Sequence, residues 1–178
     1  MPDDLATLGV AIGIPQPHST VLSNWRRRVG DPAAETVWPH VTLLPPTVVP
    51  AAAVPAIEAH LAAVAARGTP FAMHLAGTGT FRPMSPVVFV QVARGVSDCE
   101  LLEKGIRDGP LSRDLEFPYH PHVTVAQEVA DAALDEAYEG LSGFVARFSV
   151  DRIGLFAQQP DGTWATRAEY PLGDAVSG

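Results

Sequence analysis

Cysteine is nearly missing from this sequence. Cys99 stands alone in 178 residues, so an intrachain disulfide is impossible and a thiolate metal cluster is excluded. Basic side chains are also short: 12 Lys and Arg face 20 Asp and Glu, a formal charge of −8. A surface with that balance repels nucleic-acid backbones, which argues against a long, non-specific RNA or DNA track. It leaves room for a small phosphate-bearing substrate in a local pocket. No apolar run approaches the roughly 18 residues that span a bilayer. The opening Met1-Pro2-Asp3-Asp4 is acidic where a signal peptide is basic, so cytoplasmic residence is expected. Charged residues amount to only 18% against 47% hydrophobic, a balance suited to globular packing rather than disorder.

What is present reads as alternating strands and helices. Leu8, Val10, Ile12 and Ile14 alternate with Gly9, Ala11 and Gly13 in a first strand with one small-residue face. His18 to Val29 follows as a helix closed by Gly30, with Arg26, Arg27 and Arg28 as a solvated basic end that complements the dipole. Thr36 to Leu44 is the second strand, stopped by Pro45-Pro46. Ala51 to Arg67 is a helix on the spacing of Val54, Ile57, Leu61 and Val64. Phe71, Met73, Leu75 and Phe81 mark a third strand, and Val87 to Val92, apolar on both faces, a central one. Ser97 is expected to cap a helix carrying Leu101, Leu102 and Ile106. His122 to Ala126 is a strand and Asp131 to Gly140 a helix. Phe144 to Val150 then has its apolar residues at even positions and Ile153 to Ala157 at odd ones, which predicts a bulge or bend near Asp151-Arg152. Pro160-Asp161-Gly162 turns the chain into a closing strand, and Asp174 to Gly178 reads as a loose tail. The class is α+β with largely antiparallel sheet, one domain over residues 1–178.

An internal repeat gives the chain its chemistry. Pro39-His40-Val41-Thr42 recurs as Pro121-His122-Val123-Thr124, each copy followed by a short link and a helix. Successive side chains of a strand point to opposite faces. Val41 and Leu43 therefore share one face and His40 and Thr42 the other, with Val123 and Val125 opposed to His122 and Thr124 in the same way. Each strand anchors itself with two apolar residues and presents an imidazole and a hydroxyl. Two such strands about a pseudo-dyad bring two His and two Thr to one central cleft. That set suits in-line displacement at phosphorus: one imidazole takes a proton from the nucleophile and the other protonates the leaving oxygen. An unperturbed imidazole pKa of about 6.5 makes both protonation states accessible near neutrality. The hydroxyls donate to the non-bridging oxygens, and the chemistry requires no metal or other cofactor.

These paired His-Val-Thr strands resemble the two-histidine (2H) phosphoesterase superfamily, closest to its bacterial 2'-5' RNA ligase-like and RNA 2',3'-cyclic phosphodiesterase members. The resemblance runs over nearly the whole chain. It implies a bilobed, pseudo-symmetric α+β fold around a central cleft and metal-independent cleavage of 2',3'-cyclic phosphates or related 2'-linked phosphodiesters. It assigns His40 and His122 as the catalytic pair and Thr42 and Thr124 as phosphate-holding residues. It points to His122 as the base that activates water and His40 as the acid, an assignment the residues by themselves leave open. The expected partner is a nucleotide or short RNA end bound by a monomer, with no membrane. One departure stands out: family members often carry a basic residue shortly after the second motif, where this chain has Ala126-Gln127-Glu128. With the −8 charge, that argues against RNA ligation and against binding of long RNA; the rival readings are a protein that holds a nucleotide or RNA end without turnover and a ligase-type transferase running the same chemistry in reverse.

Other residues are weighed against ordinary structural roles. Tyr119 is the preferred base-stacking candidate among the aromatics near the motifs, Trp38, Phe81, Phe117 and Tyr119. His120, two residues before His122, reads equally as a second-layer or pocket residue and as a plain loop histidine. A metal shared by His120 and His122 ranks low without a nearby carboxylate. His60 is expected in solvent, His74 on the exposed face of its strand, and His18 at a helix start. Arg82 and Arg167 read as surface arginines and Cys99 as a buried small residue.

Overall fold

A computed structural model describes residues 4–173, so the expectation for the tail at Asp174 to Gly178 lies outside the described residues. The elements run β1 (Leu5–Gly13), α1 (His18–Arg28), β2 (His40–Pro50), α2 (Val54–Arg67), β3 (Phe71–Thr80), β4 (Val87–Arg94) and α3 (Val96–Ile106). They continue with β5 (His122–Gln127), α4 (Asp131–Gly140), β6 (Val145–Val150), β7 (Arg152–Gln158) and β8 (Trp164–Pro171). Two four-stranded sheets form, ordered β2-β1-β7-β8 and β5-β4-β3-β6, and every pairing is antiparallel. The expected α+β fold with two antiparallel sheets is what the chain adopts. Among the described residues no helix is long and apolar enough to cross a membrane.

The duplication seen in the motifs extends to topology. β1-α1-β2 and β4-α3-β5 are each an antiparallel pair joined by a helix, and each motif strand lies at a sheet edge. The two helices are exchanged between sheets: α1 packs on β5 and α3 packs on β2. This exchange brings the two motif strands side by side. The core lies on the helix-covered faces, where Val41 and Leu43 of β2, Val123 and Val125 of β5, Leu22 of α1 and Ile106 of α3 are all buried. Burial of each large aliphatic side chain contributes roughly 1.5–3 kcal/mol, so these residues fix which face of each motif strand turns outward.

Several local expectations are corrected. β2 begins at His40 rather than Thr36 and runs through Pro45 and Pro46 to Pro50. Both prolines fall where the register jumps from Val10↔Leu44 to Leu8↔Thr47, a bulge on an edge strand that asks for no ladder hydrogen bond there. Ser97 does not cap α3; the N-cap is Gly95, at φ +104°, a left-handed conformation that glycine adopts without strain. Leu101 is 70% exposed rather than part of the core face. The parity switch near Asp151 is a change of sheet: β6 pairs with β3 and β7 with β1. Arg26 is not part of a solvated basic end. It is 2% exposed and its guanidinium meets the buried Asp31 carboxylate at 2.9 Å, while Arg27 pairs with Glu35 and Arg28 with Glu136. His60 Nε2 donates to Ile106 O, 3.1 Å away, and the ring is half-buried rather than solvated. Cys99 is buried, and its thiol is pushed up to about 12 by burial and then by Asp98 and Glu100.

Candidate active site

The alternation of buried and half-buried residues along β2 and β5 settles the direction of each motif side chain. His40 and Thr42 are half-buried between buried Val41 and Leu43, and His122 and Thr124 stand in the same relation to Val123 and Val125. The small residues of β1 lie beside the first motif, Gly13 opposite His40 and Ala11 opposite Thr42. Beside the second, Gln91 lies opposite His122 and Phe89 opposite Thr124.

Both imidazoles are held identically. His40 Nδ1 lies 2.7 Å from Trp38 O, and His122 Nδ1 lies 2.7 Å from His120 O. A carbonyl only accepts, so each Nδ1 carries a proton and each Nε2 is left as an acceptor in the neutral ring. The hydroxyls of Thr42 and Thr124 have no hydrogen-bond partner among the described residues and stand ready to donate. Burial lowers the pKa of His40 below its ordinary value; the bond to Trp38 O opposes this, and the Arg26 charge reinforces it. Burial likewise lowers the pKa of His122, opposed by the bond to His120 O and reinforced by positive charge on His120 and on His40. The two motif strands that carry these imidazoles pack against each other.

The surroundings of the two rings differ. His122 is packed by Phe81 at 5.0 Å and Phe89 at 5.2 Å between ring centroids, with His120 stacked beside it at 5.9 Å. His120 is exposed and lies beside the second motif. The planes of the two rings are inclined by 28°. His40 instead borders an open cavity of about 210 Å³ walled by Trp38, Phe156 and Trp164, with Thr42 and Gln127 at its margin. Trp38 and Phe156 meet edge to face, 4.9 Å apart.

Tyr119 is not offered as a stacking surface. Its ring packs against the core and its hydroxyl donates to Thr42 O at 2.7 Å, so the segment leading into the second motif is tied to the first motif strand. Arg82 and Arg167 engage Asp135 and Glu58, in line with structural roles. Three contributors were missed in the sequence. Phe156 and Trp164 come from the last hairpin, far in sequence from both motifs; the signal was Phe156 standing out of phase with buried Leu155. The third is the Arg26–Asp31 pair, whose carboxylate also accepts from Ala33 N at 2.8 Å and from Gln127 N at 3.2 Å. It joins α1 to the end of β5 and so fixes Gln127 at the cavity margin.

Comparison with known proteins agrees with this architecture. Residues 14–162 match the family model of the 2'-5' RNA ligase superfamily. A Bacillus cytotoxicus protein bearing the name "Putative phosphoesterase" is 28% identical over 153 residues, covering 85% of this chain and 88% of that one. Its namesake in Bacillus mycoides is 27% identical over the same coverage. Among solved structures, apo LigT of E. coli superimposes with a TM-score of 0.76 at 20% identity, over 97% of this chain and all of LigT. LigT complexed with 3'-AMP gives 0.75 at 20% identity, over 96% of this chain and 100% of that one. TT0787 of Thermus thermophilus gives 0.64 at 21%, over 94% and 99%. With the family model spanning both His-Val-Thr strands, this chain belongs to the 2'-5' RNA ligase superfamily of two-histidine phosphoesterases.

Proposed function

We propose that the chain is a metal-independent phosphodiesterase that hydrolyses a 2',3'-cyclic phosphate, or a related 2'-linked phosphodiester, in a nucleotide or RNA end. The observation that carries this reading is the duplicated tether: two imidazoles on adjacent edge strands, each with Nδ1 held by a carbonyl and Nε2 free, each two residues before an unpartnered threonine hydroxyl. Water attacks phosphorus as its proton passes to one Nε2. The bond from phosphorus to the ribose oxygen breaks on the opposite side, and the other Nε2–H delivers its proton to that oxygen. Thr42 and Thr124 donate to the non-bridging oxygens as charge builds on them.

The unequal surroundings support a direction. A nucleobase fits the cavity walled by Trp38, Phe156 and Trp164, and LigT, of like fold, has been captured with 3'-AMP. A base seated there places its ribose, and hence the departing oxygen, on the His40 side. His40 is then the acid and His122 the base that activates water. The test is hydrolysis of a panel of nucleoside 2',3'-cyclic phosphates in the presence of EDTA. Turnover that survives the chelator and falls by about 10²-fold or more in His40→Ala and in His122→Ala is expected, each group supplying typically 10²–10⁴-fold. Wild-type rates in either variant overturn the reading.

A further inference from the structure

Arginine is otherwise occupied near the motif strands: Arg26 pairs with Asp31, Arg28 with Glu136 and Arg82 with Asp135. Arg94 and Arg147 differ. Neither has a hydrogen bond or ion pair among the described residues, and the register places both directly opposite one residue, His74, which lies between them on β3. His74 Nε2 is buried and has no hydrogen-bond partner. The three residues line one open depression together with Ser149. In a chain of net charge −8, two exposed guanidinium groups without a partner flank a buried, unpartnered imidazole nitrogen, a set of donors that suits an anion.

The row faces the proposed reaction centre's side of the sheet. Val90 opposes Val123 and Val92 opposes Leu75, all on the buried face, whereas Gln91 opposes His122 on the open one. His74 follows buried Met73 and precedes buried Leu75, so it shares the open face. Arg94 would fall in phase with Val90 and Val92 but for a bulge. The register moves from Leu75↔Val92 to His74↔Arg94, which leaves Ala93 as an extra residue and turns Arg94 to the side of His74. Arg94 is three residues along β4 from the partner of His122, roughly 10 Å at about 3.4 Å per residue.

We propose that Arg94, His74 and Arg147 form an anion subsite that holds a second, non-reacting phosphate of a short single-stranded oligonucleotide whose end enters the two-histidine site. The inference rests on the phosphodiesterase reading and narrows it from mononucleotides to RNA ends. Guanidinium groups give charge-assisted hydrogen bonds to phosphate oxygens, and a row of this width engages one phosphate rather than an extended backbone.

The experiment compares adenosine 2',3'-cyclic phosphate with a short oligoadenylate ending in the same cyclic phosphate, on the wild type and on Arg94→Gln/Arg147→Gln. Both arginines are exposed, so the variant is expected to fold. The wild type is expected to prefer the oligonucleotide in kcat/KM. The variant should lose about 10-fold or more on the oligonucleotide, keep its rate on the mononucleotide, and flatten the oligonucleotide's salt dependence by about one to two units of log–log slope. An unchanged preference, or equal losses on both substrates, overturns the subsite. If the wild type cleaves neither substrate, it is the hydrolase reading that falls. Binding of an oligoadenylate ending in a 3'-phosphate then decides the subsite: at least 10-fold weaker binding by the variant supports it, and equal affinity overturns it.

Discussion

Removing the charge of Asp31 tests the buried link behind the candidate site. Arg26 and Asp31 have side chains 2% and 0% exposed, with Nη2 and Oδ2 at 2.9 Å, and the same carboxylate receives Arg26 Nε at 3.0 Å, Ala33 N and Gln127 N. Asp31→Asn strips the countercharge and leaves a guanidinium buried without compensation. Breaking one side of such a pair costs about 3–5 kcal/mol. For a chain of this size each kcal/mol moves Tm by about 2–4 °C, so a fall of about 6–20 °C is expected. Adding Arg26→Met removes the stranded charge. What then remains is the loss of one or two hydrogen bonds to the carboxylate, about 1–3 kcal/mol for an orphaned backbone N–H. The double variant should therefore be more stable than the single one.

Urea and thermal unfolding of the wild type, Asp31→Asn and Arg26→Met/Asp31→Asn read this directly. The same samples report on the site, because Arg26 is among the causes that hold His40 down. NMR titration of His40 should show a higher pKa in the double variant than in the wild type. A double variant less stable than Asp31→Asn, or a single variant within 1 kcal/mol of wild type, refutes the account of a charge-compensated link (about 1 kcal/mol being the median single-mutant effect).

The pH dependence follows from the lowered imidazoles. Burial first, then neighbouring charge, puts both folded pKa values below about 6.5, so the general acid deprotonates early and kcat/KM should peak on the acid side of neutrality, as a rate–pH profile would show. A bound phosphate favours the charged imidazole, so the alkaline limb of kcat should lie at higher pH than that of kcat/KM. Stability carries the same sign: between the folded values and about 6.5 the unfolded chain binds more protons, so this contribution is intact above that range and lost as pH falls through it, measurable as a declining urea midpoint. Tyr119→Phe removes the donor to Thr42 O and should cost about 0.5–1.5 kcal/mol in urea unfolding while lowering kcat/KM; an unchanged midpoint would show that the tether adds nothing.

Periodicity made most elements readable, because burial of one face leaves a trace in every amphipathic segment. Val54, Ile57, Leu61 and Val64 announced α2, and α4 falls on the expected residues from Asp131 to Gly140. The motif geometry was readable for the same reason: buried Val41 and Val123 leave His40 and His122 only one direction to face. What stayed hidden depends on contacts remote in sequence. Pro45-Pro46 looks like a strand stop unless one knows that β2 is an edge strand. Arg26 looks solvated until Asp31 folds under it. Phe156 and Trp164 reach the first motif only because the last hairpin joins the sheet of β1 rather than that of β6, a choice made at Asp151 by partners no local pattern names.

The same remote contacts convert a doubled fold into a directional one. Two copies of one strand, tethered through equivalent Nδ1 bonds to equivalent carbonyls, would by themselves treat a substrate alike from either end. The symmetry fails where the flanking strands differ. In the second sheet Phe81 and Phe89 come from β3's end and β4 and crowd His122, with the ring of the exposed His120 beside it. In the first sheet β1 offers small residues in the corresponding place, Gly13 opposite His40 and Ala11 opposite Thr42, and Gly9 and Ala11 line the aromatic-walled cavity beside His40. In the proposed reaction, small residues on one side and phenylalanines on the other would seat a base beside His40 and so turn that imidazole toward the leaving oxygen.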